Sequence, residues 1–208
     1  MKNTVVYLIR HAETVAENGI RNTNEDVQAI NEKEILSVDG EAQAKALSKN
    51  RELKKLAAVW SSGYTRAKGT AKYIAAANHL AYDLDSDLGE RKLGNLKELA
   101  AFMQGKATQD PAQAQLLDPT FRTSDGESAE QTKVRMNRFF AKILPDYAGK
   151  KVAVVSHGGS IKFFLLNWCT VDEDGKLFYQ DQIINVTSPC LLKLTFRKTD
   201  LMSLEQLI

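Results

Sequence analysis

Residues 4–14 read TVVYLIRHAET, an apolar run that ends in a cation and an imidazole. Residues 4–9 are β-branched, aromatic or aliphatic without polar alternation, which is typical of a strand buried on both faces. Arg10 and His11 follow directly, so we expect them at the carboxyl end of that strand. Open α/β sheets bind their ligands at this edge. The stretch therefore predicts a central strand that carries a functional cation and histidine.

Residues 151–159, KVAVVSHGG, repeat this pattern in the second half of the chain. A β-branched run at 152–155 again leads to a histidine, His157, which is followed by Gly158 and Gly159. A lone histidine is more often structural than catalytic. Two buried strands that each end at a histidine instead predict one convergent site at the sheet edge.

A third element of the same kind is residues 61–71, SSGYTRAKGTA, which predict a helix from Tyr64 with Arg66 in its first turn. An arginine is unfavourable near the positive end of a helix dipole. Binding an anion explains its presence, because helix N-terminal amides and a guanidinium attract the same ligand. A solvated surface arginine is the alternative for this feature alone.

The remaining pattern alternates strands with helices and predicts one α/β domain, residues 1–208, around a mostly parallel sheet. Further strands are predicted at residues 56–60, 80–84, 183–186 and 190–196, and helices at 40–47, 64–74, 128–144 and 161–168. Residues 15–35 predict a loop with at most one short helical turn. The long helix is expected to bury Val134, Phe139, Ile143 and Leu144.

Composition excludes several classes of protein. The 28 basic and 26 acidic residues leave a net charge of +2, which argues against nucleic acid as the main partner. The two cysteines lack metal-type spacing and are expected to be reduced. No apolar run approaches the roughly 18 residues that span a bilayer. The six-residue apolar run near the start is shorter than that of a signal sequence, so we expect a cytoplasmic protein without membrane contact.

The residues expected at the sheet edge form a set suited to phosphoryl transfer: Arg10, His11, Arg66, Glu90 and His157. Guanidinium groups match phosphoryl oxygens, and a neutral imidazole can attack phosphorus. A second histidine, as an imidazolium, would stabilise the same oxygens. A carboxylic acid would protonate the leaving oxygen and then activate water. No cofactor is expected, because the chain shows no carboxylate cluster that would hold a metal.

These residues lie in motifs that resemble the histidine phosphatase superfamily, the phosphoglycerate mutase-like enzymes. Arg10-His11-Ala12-Glu13-Thr14 is similar to its Arg-His-Gly-Glu-Thr signature, and six further segments match in order along most of the chain. They are Leu36-Ser37 with Gly40 and Gln43-Ala44, Ser61-Ser62 with Arg66-Ala67 and Thr70-Ala71, Glu90 with Gly94, Gly126-Glu127-Ser128, Ser156-His157-Gly158-Gly159, and Asn185.

The resemblance implies a three-layer α/β/α sandwich and a role for each matching residue. His11 would be the phosphorylated nucleophile and Glu90 the proton donor, with His157 as the second catalytic histidine. Arg10, Arg66 and the Gly158 amide would bind phosphate, and Asn18 and Arg21 would be additional contacts to substrate. An inserted lid at about residues 95–126 would set specificity for a small phosphate ester, and free phosphate would bind the same pocket.

Three departures from the family pattern leave alternatives open. Ala12 replaces a glycine, which is acceptable where the backbone needs no positive φ. Glu17 stands where the family often has a phosphate-contacting Asn, with Asn18 one position later. Mutases of the family usually carry Trp-Asn where this chain has Ala16-Glu17. We therefore expect a metal-independent phosphomonoesterase; the alternatives are a phosphoglycerate mutase and a non-catalytic phospho-ligand sensor.

Overall fold

A computed structural model describes residues 2–15, 27–106, 108 and 110–208. Nine strands are assigned in this part of the chain: β1 (Thr4–Arg10), β2 (Ala58–Ser61), β3 (Asp83–Leu84), β4 (Lys151–Ser156), β5 (Thr170–Val171), β6 (Leu177–Tyr179), β7 (Gln182–Ile184), β8 (Cys190–Arg197) and β9 (Asp200–Gln206). Six of them form one sheet in the order β3-β2-β4-β1-β8-β9. β3, β2, β4 and β1 pair in parallel, whereas β8 is antiparallel to both of its neighbours. The predicted, mostly parallel central sheet is confirmed.

Helices flank this sheet on both faces. In the described residues they are α1 (Val27–Lys33), α2 (Val38–Leu47), α3 (Thr65–Ala76), α4 (Leu96–Met103), α5 (Pro111–Leu117), α6 (Ala129–Asp146) and α7 (Gly158–Leu165). Sequence signals explain where several begin. Ser37 caps α2 by accepting a hydrogen bond from the Gly40 amide, and Ser128 forms a capping box with Gln131 at the start of α6.

The alternation of side chains along β1 separates two cores. Val6 and Leu8 join a core with residues of α6 and α7, whereas Tyr7 and Ile9 join a core with residues of α2 and α3. All four side chains are fully buried, because successive residues of a strand face opposite sides of the sheet. The result is the expected α/β/α sandwich of three layers.

Three sequence expectations are corrected by the structure. Val134 is 60% exposed rather than buried. It lies five residues before Phe139, about 140° around the helix, so it faces solvent while Met136 and Phe140 complete the buried face. The strand expected at 183–186 is β7, which joins a separate antiparallel sheet in the order β5-β6-β7. α1 spans seven residues, more than one helical turn.

The end of the chain adds a strand to the main sheet. β9 pairs with β8 and leaves Met202 45% exposed, whereas Leu204 is buried. Both cysteines, Cys169 and Cys190, are free thiols and buried. Among the described residues, no helix has the length and apolar character needed to cross a membrane.

Close backbone contacts fix the loop that carries Glu90. Gly94 has a φ of 61°, in the left-handed region, and a Cβ built there would lie 2.3 Å from the Ser124 carbonyl oxygen. Both conditions require glycine. A Cβ on Gly126 would lie 2.3 Å from the Thr123 hydroxyl oxygen. Two of the matched glycines thus let residues 93–95 and 123–126 approach each other closely.

Candidate active site

His11 follows the last residue of β1 and is 4% exposed. Its Nδ1 lies 2.8 Å from the carbonyl oxygen of Ala12. Because a carbonyl oxygen only accepts, Nδ1 carries the ring proton and Nε2 keeps its lone pair. That lone pair accepts a hydrogen bond from Nε of Arg66 at 3.0 Å. The ring therefore presents an unprotonated Nε2 beside a guanidinium.

His157 lies at the end of the neighbouring strand β4, immediately before α7, and is completely buried. Its ring centroid is 5.1 Å from that of His11, with the two rings inclined by 60°. Its Nε2 lies 2.7 Å from the Ser62 hydroxyl oxygen. The ring of Tyr64 covers one side of the imidazole, with 4.8 Å between centroids. The two histidines that end adjacent strands therefore lie side by side, as the sequence predicted.

The surroundings of both histidines favour the neutral ring. Burial lowers the pKa of His11 well below its usual value, a proton on His157 would lower it further, and the Arg66 guanidinium acts in the same direction. Burial also lowers the pKa of His157, together with Arg66, Arg135 and Arg10. This direction favours a neutral ring at His157, whereas the sequence led us to expect an imidazolium.

Arg66 is the second residue of α3 and is 3% exposed, so it is not a solvated surface arginine. Besides His11, its guanidinium contacts α1 and the residue after it: both oxygens of Asn31, with the side-chain oxygen at 2.9 Å, and the Glu34 carboxylate at 3.4 Å. Three oxygen atoms thus contact this cation in addition to the ring nitrogen of His11. The same guanidinium lies 5.2 Å from the centroid of the Tyr64 ring.

Arg10 and Gly158 lie side by side at the start of α7. Arg10 donates a hydrogen bond to the Val186 carbonyl oxygen at 3.0 Å. A Cβ on Gly158 would lie 3.1 Å from Nε of Arg10, so glycine gives this guanidinium room beside the helix N-terminus. Amide groups at a helix N-terminus and a guanidinium both favour a bound anion.

Glu90 is held by the first turn of α7. Its carboxylate accepts hydrogen bonds from the amides of Arg91 at 2.8 Å, Ser160 at 3.0 Å and Gly159 at 3.2 Å. Burial by itself raises the pKa of Glu90, but the Arg91 guanidinium and amide, Arg66 and the Gly159 amide together bring that pKa below its usual value. Glu90 is therefore an ionised carboxylate at neutral pH.

Arg135 braces the loop before Glu90. Its guanidinium donates to the carbonyl oxygens of Asp87 and Gly89 at 2.6 and 2.8 Å, and it forms a bidentate pair with Glu127 at 3.0 and 3.1 Å. Glu127 also accepts the Lys92 amide at 3.0 Å. The matched Gly-Glu-Ser segment therefore fixes the Glu90 loop to α6.

The structure brings six of the sequence-predicted residues to one edge of the sheet: Arg10, His11, Arg66, Glu90, His157 and Gly158. Asn18 and Arg21, with Glu17, lie outside the described residues. Ala12 is not among the residues with positive φ, so its replacement of glycine introduces no backbone strain.

Four contributing residues were missed from the sequence: Ser62, Tyr64, Arg91 and Arg135. Ser62 stood inside a matched motif but had no assigned role. Arg91 is next to Glu90 and 5% exposed, and this adjacency was its only sequence signal. Tyr64 and Arg135 act through contacts across the fold, which local patterns do not reveal.

Comparison with known proteins places these residues in a family. The model described as histidine phosphatase superfamily (branch 1) matches residues 6–204. A "probable phosphatase" of Schizosaccharomyces pombe is 30% identical over 165 residues, which cover 76% of this chain and 54% of that protein. The chain thus spans about half the length of the yeast relative. A "metal-independent phosphoserine phosphatase" of Arabidopsis thaliana is 29% identical over 186 residues, covering 84% of this chain and 72% of the plant protein.

A solved structure agrees in fold. A mycobacterial glucosyl-3-phosphoglycerate phosphatase aligns with a TM-score of 0.73 at 19% identity, and the alignment covers 100% of this chain and 98% of the mycobacterial chain. At this identity the likeness concerns the fold alone. The family model carries the assignment, because it spans nearly the whole chain from β1 to β9. This chain belongs to the histidine phosphatase superfamily, branch 1.

Proposed function

We propose that this chain is a metal-independent phosphomonoesterase that hydrolyses a small phosphate ester through a phosphohistidine at His11. One observation carries the proposal: Nε2 of His11 keeps a buried lone pair while its Nδ1–H is fixed by the Ala12 carbonyl oxygen at 2.8 Å. An imidazole in this state is a nucleophile that needs no deprotonation. Arg66, 3.0 Å from Nε2, favours a phosphoryl group at the same place.

In the first step, the Nε2 lone pair of His11 forms a bond to phosphorus as the ester P–O bond breaks. The leaving oxygen takes a proton from the carboxylic acid form of Glu90. Arg10, Arg66 and the Gly158 amide neutralise the charge on the other phosphoryl oxygens. Because the pKa of Glu90 is lowered, only a fraction of the enzyme holds that proton near neutral pH, and this step slows as pH rises.

In the second step, water attacks the phosphohistidine as the Nε2–P bond breaks and returns the lone pair to His11. The ionised Glu90 takes the proton of that water, which restores the acid for the next cycle. The amides of Gly159 and Ser160 hold the carboxylate in place throughout. The lowered pKa of Glu90 suits this step, because the base is already ionised.

We also propose one domain over residues 1–208, in which residues 95–126 form a lid over the leaving group. α5 of this segment buries Ala112 and Leu116 in the core shared with α7. Asp110, just before α5, forms an ion pair with Lys162 of α7. Between these elements lies a cavity of about 280 Å³ whose lining includes Arg10, Asp110 and Lys162. A cavity that shares Arg10 with the phosphate site is well placed for the remainder of a small ester.

The relatives support the reaction class, since one carries the name of a metal-independent phosphoserine phosphatase. The compartment is proposed from chemistry. Cys169 and Cys190 are buried and free, and burial raises the pKa of each thiol, to about 11 and about 12 respectively. Such thiols are unreactive and are compatible with a reducing cytoplasm.

The proposal is tested by phosphate release from a panel of esters: phosphoserine, 3-phosphoglycerate, sugar phosphates and nucleoside monophosphates. Wild type is compared with His11→Asn and with the control His79→Asn. The chain has three histidines, and His79 is exposed with a φ of 56°, a conformation that asparagine adopts readily.

We expect selective release by wild type and by His79→Asn, and none by His11→Asn. Equal release from all three proteins would contradict the proposal. Isomerisation of 3-phosphoglycerate primed with a bisphosphate would identify a mutase instead. Tight ester binding without turnover would identify a sensor.

A further inference from the structure

Ser62 connects the two strands that frame the site. It follows β2 directly and is fully buried, and its amide donates to the Val155 carbonyl oxygen of β4 at 3.0 Å. This bond extends the parallel pairing of β2 with β4 to the carboxyl end of β4, just before His157. The backbone of Ser62 is therefore fixed relative to His157. This pairing places the Ser62 hydroxyl within hydrogen-bond distance of the His157 imidazole.

The hydroxyl of Ser62 has two hydrogen-bond neighbours in the part of the chain that the structure describes. The Tyr64 amide donates to it at 3.1 Å, and Nε2 of His157 lies 2.7 Å away. An amide N–H is only a donor, so the serine oxygen accepts from Tyr64. The serine proton then has one acceptor, Nε2 of His157.

The opposite arrangement is unfavourable. If Nε2 carried the ring proton, two buried groups would lack a partner among the described residues: the hydroxyl proton of Ser62 and the lone pair on Nδ1 of His157. With the proton on Nδ1, that N–H is left as the single group of the pair without a partner there. Buried polar groups of this kind are rarely left unsatisfied. The geometry therefore selects a ring whose Nε2 accepts and whose proton is on Nδ1.

We infer that Ser62 is a positioning residue that holds neutral His157 in its Nδ1–H tautomer, so that this ring offers the phosphoryl group a donor without being protonated. Nδ1 of His157 is buried and lacks a hydrogen-bond partner among residues 2–15, 27–106, 108 and 110–208. The phosphoryl part of the inference rests on the proposed function; the tautomer does not.

The tautomer decides what the second histidine does. With the proton on Nδ1, the ring nitrogen that has no protein partner is a donor, which suits anionic phosphoryl oxygens. With the proton on Nε2, Nδ1 would instead present a lone pair and repel the phosphoryl oxygens. Burial and the positive charges of Arg66, Arg135 and Arg10 lower the pKa of this ring and so disfavour a second proton, which leaves the tautomer to supply the donor.

Long-range ¹H–¹⁵N NMR correlation spectra of the wild-type protein test the inference first. Three histidines give few signals, and a protonated ring nitrogen differs clearly in ¹⁵N shift from an unprotonated one. We expect His157 to show a protonated Nδ1 and an unprotonated Nε2 at pH 7.5. A protonated Nε2 at His157 in wild type would overturn the inference without any variant.

Two variants and a matched control extend the test. Ser62→Ala removes the donor, so we expect the Nε2–H form of His157 to appear and kcat for phosphate release to fall roughly 10- to 100-fold with KM little changed. Ser62→Thr keeps a hydroxyl and should restore the Nδ1–H form and most of kcat. In the control Ser61→Ala, the lost hydroxyl is one that donates to the Ser62 carbonyl oxygen at 2.9 Å, and its hydrogen bond within the described residues is to backbone rather than to a histidine.

The outcomes separate the two claims. An unchanged His157 tautomer in Ser62→Ala would overturn the inference, as would loss of the Nδ1–H form in Ser61→Ala. If no ester is hydrolysed while Ser62→Ala still shifts the tautomer, the role of Ser62 in positioning stands and the proposed function fails.

Discussion

His11 and His157 follow adjacent parallel strands, yet the protein anchors the two imidazole rings by opposite edges. In His11, Nδ1 is bound to a backbone carbonyl oxygen and Nε2 faces Arg66. In His157, Nε2 is bound to the Ser62 hydroxyl and Nδ1 has no partner in the described chain. Both rings are buried, and burial lowers the pKa of each. In the proposed mechanism, the partner of the anchored nitrogen makes one ring the nucleophile and the other the donor.

The largest effect is expected where the nucleophile itself is removed. His11→Asn keeps a polar side chain of similar size but has no ring nitrogen to bond phosphorus. We expect kcat/KM for phosphate release to fall on the order of 10⁴-fold or more. The measurement is steady-state release from the best ester of the panel. Residual activity within tenfold of wild type would contradict the assignment of His11, because another group would then be the nucleophile.

Glu90→Gln tests whether the acid acts on the same step as His11. The amide cannot donate a proton to the leaving oxygen in the way a carboxylic acid does, so we expect about a 10³-fold loss in the rate of His11 phosphorylation by an alkyl phosphate. An aryl ester with a strongly acidic phenol needs no such proton and should lose far less. Rapid-quench kinetics with both esters measure the difference. Equal losses would contradict a role in leaving-group protonation.

His157→Ala separates the roles of the two rings, because it removes the proposed donor and leaves the nucleophile. We expect kcat to fall about 10²-fold, the typical loss when one donor to a developing anionic charge is removed. Phosphohistidine should still form at His11, more slowly. A loss as complete as that of His11→Asn, with no trapped intermediate, would mean that the two rings do not have separate roles.

The smallest effect concerns stability against pH. Folding lowers the pKa of both rings. Below the pKa of an unfolded histidine, about 6.5, the unfolded chain therefore binds more protons than the folded one, and the free energy of unfolding decreases as the pH is lowered. Each buried ring contributes up to about 1.4 kcal/mol per pH unit to this decrease in the free energy of unfolding. Well above pH 6.5 the two rings add no pH dependence. Urea unfolding from pH 8 to pH 5 measures the slope.

Replacing one buried ring should remove its share of that slope. His157→Gln is expected to show a shallower decline below pH 6.5 than wild type, and His79→Asn, which removes an exposed ring, is the control. An identical decline in wild type and His157→Gln would contradict a neutral, buried His157.

The positions of both histidines were predictable from the sequence, because a strand and its end depend mainly on neighbouring residues. The apolar runs before His11 and His157 fixed β1 and β4, and parallel pairing brought the two histidines together. The position of Arg66 in a first helical turn also followed from its neighbours. By contrast, the prediction that Val134 is buried is wrong, because it lies about 140° around the helix from Phe139.

What the sequence did not reveal depends on contacts between distant segments. The anchor of His157 is Ser62, 95 residues earlier in the chain, and it acts through the pairing of β2 with β4. Arg135 reaches the Glu90 loop from α6. The charge of Glu90 depends on amides of α7 that the loop meets only in the folded protein. Residue types and order predict the members of the site, whereas tautomers and ionisation states require the fold.

The most direct test of the account is to trap the covalent intermediate and locate its phosphate. Wild type is mixed with its best ester, quenched within milliseconds at alkaline pH, digested and analysed by mass spectrometry, with ³¹P NMR to assign the nitrogen. We predict a phosphate on Nε2 of His11 and none on His157. A phosphate on His157, or rapid turnover without any phosphohistidine, would contradict the account.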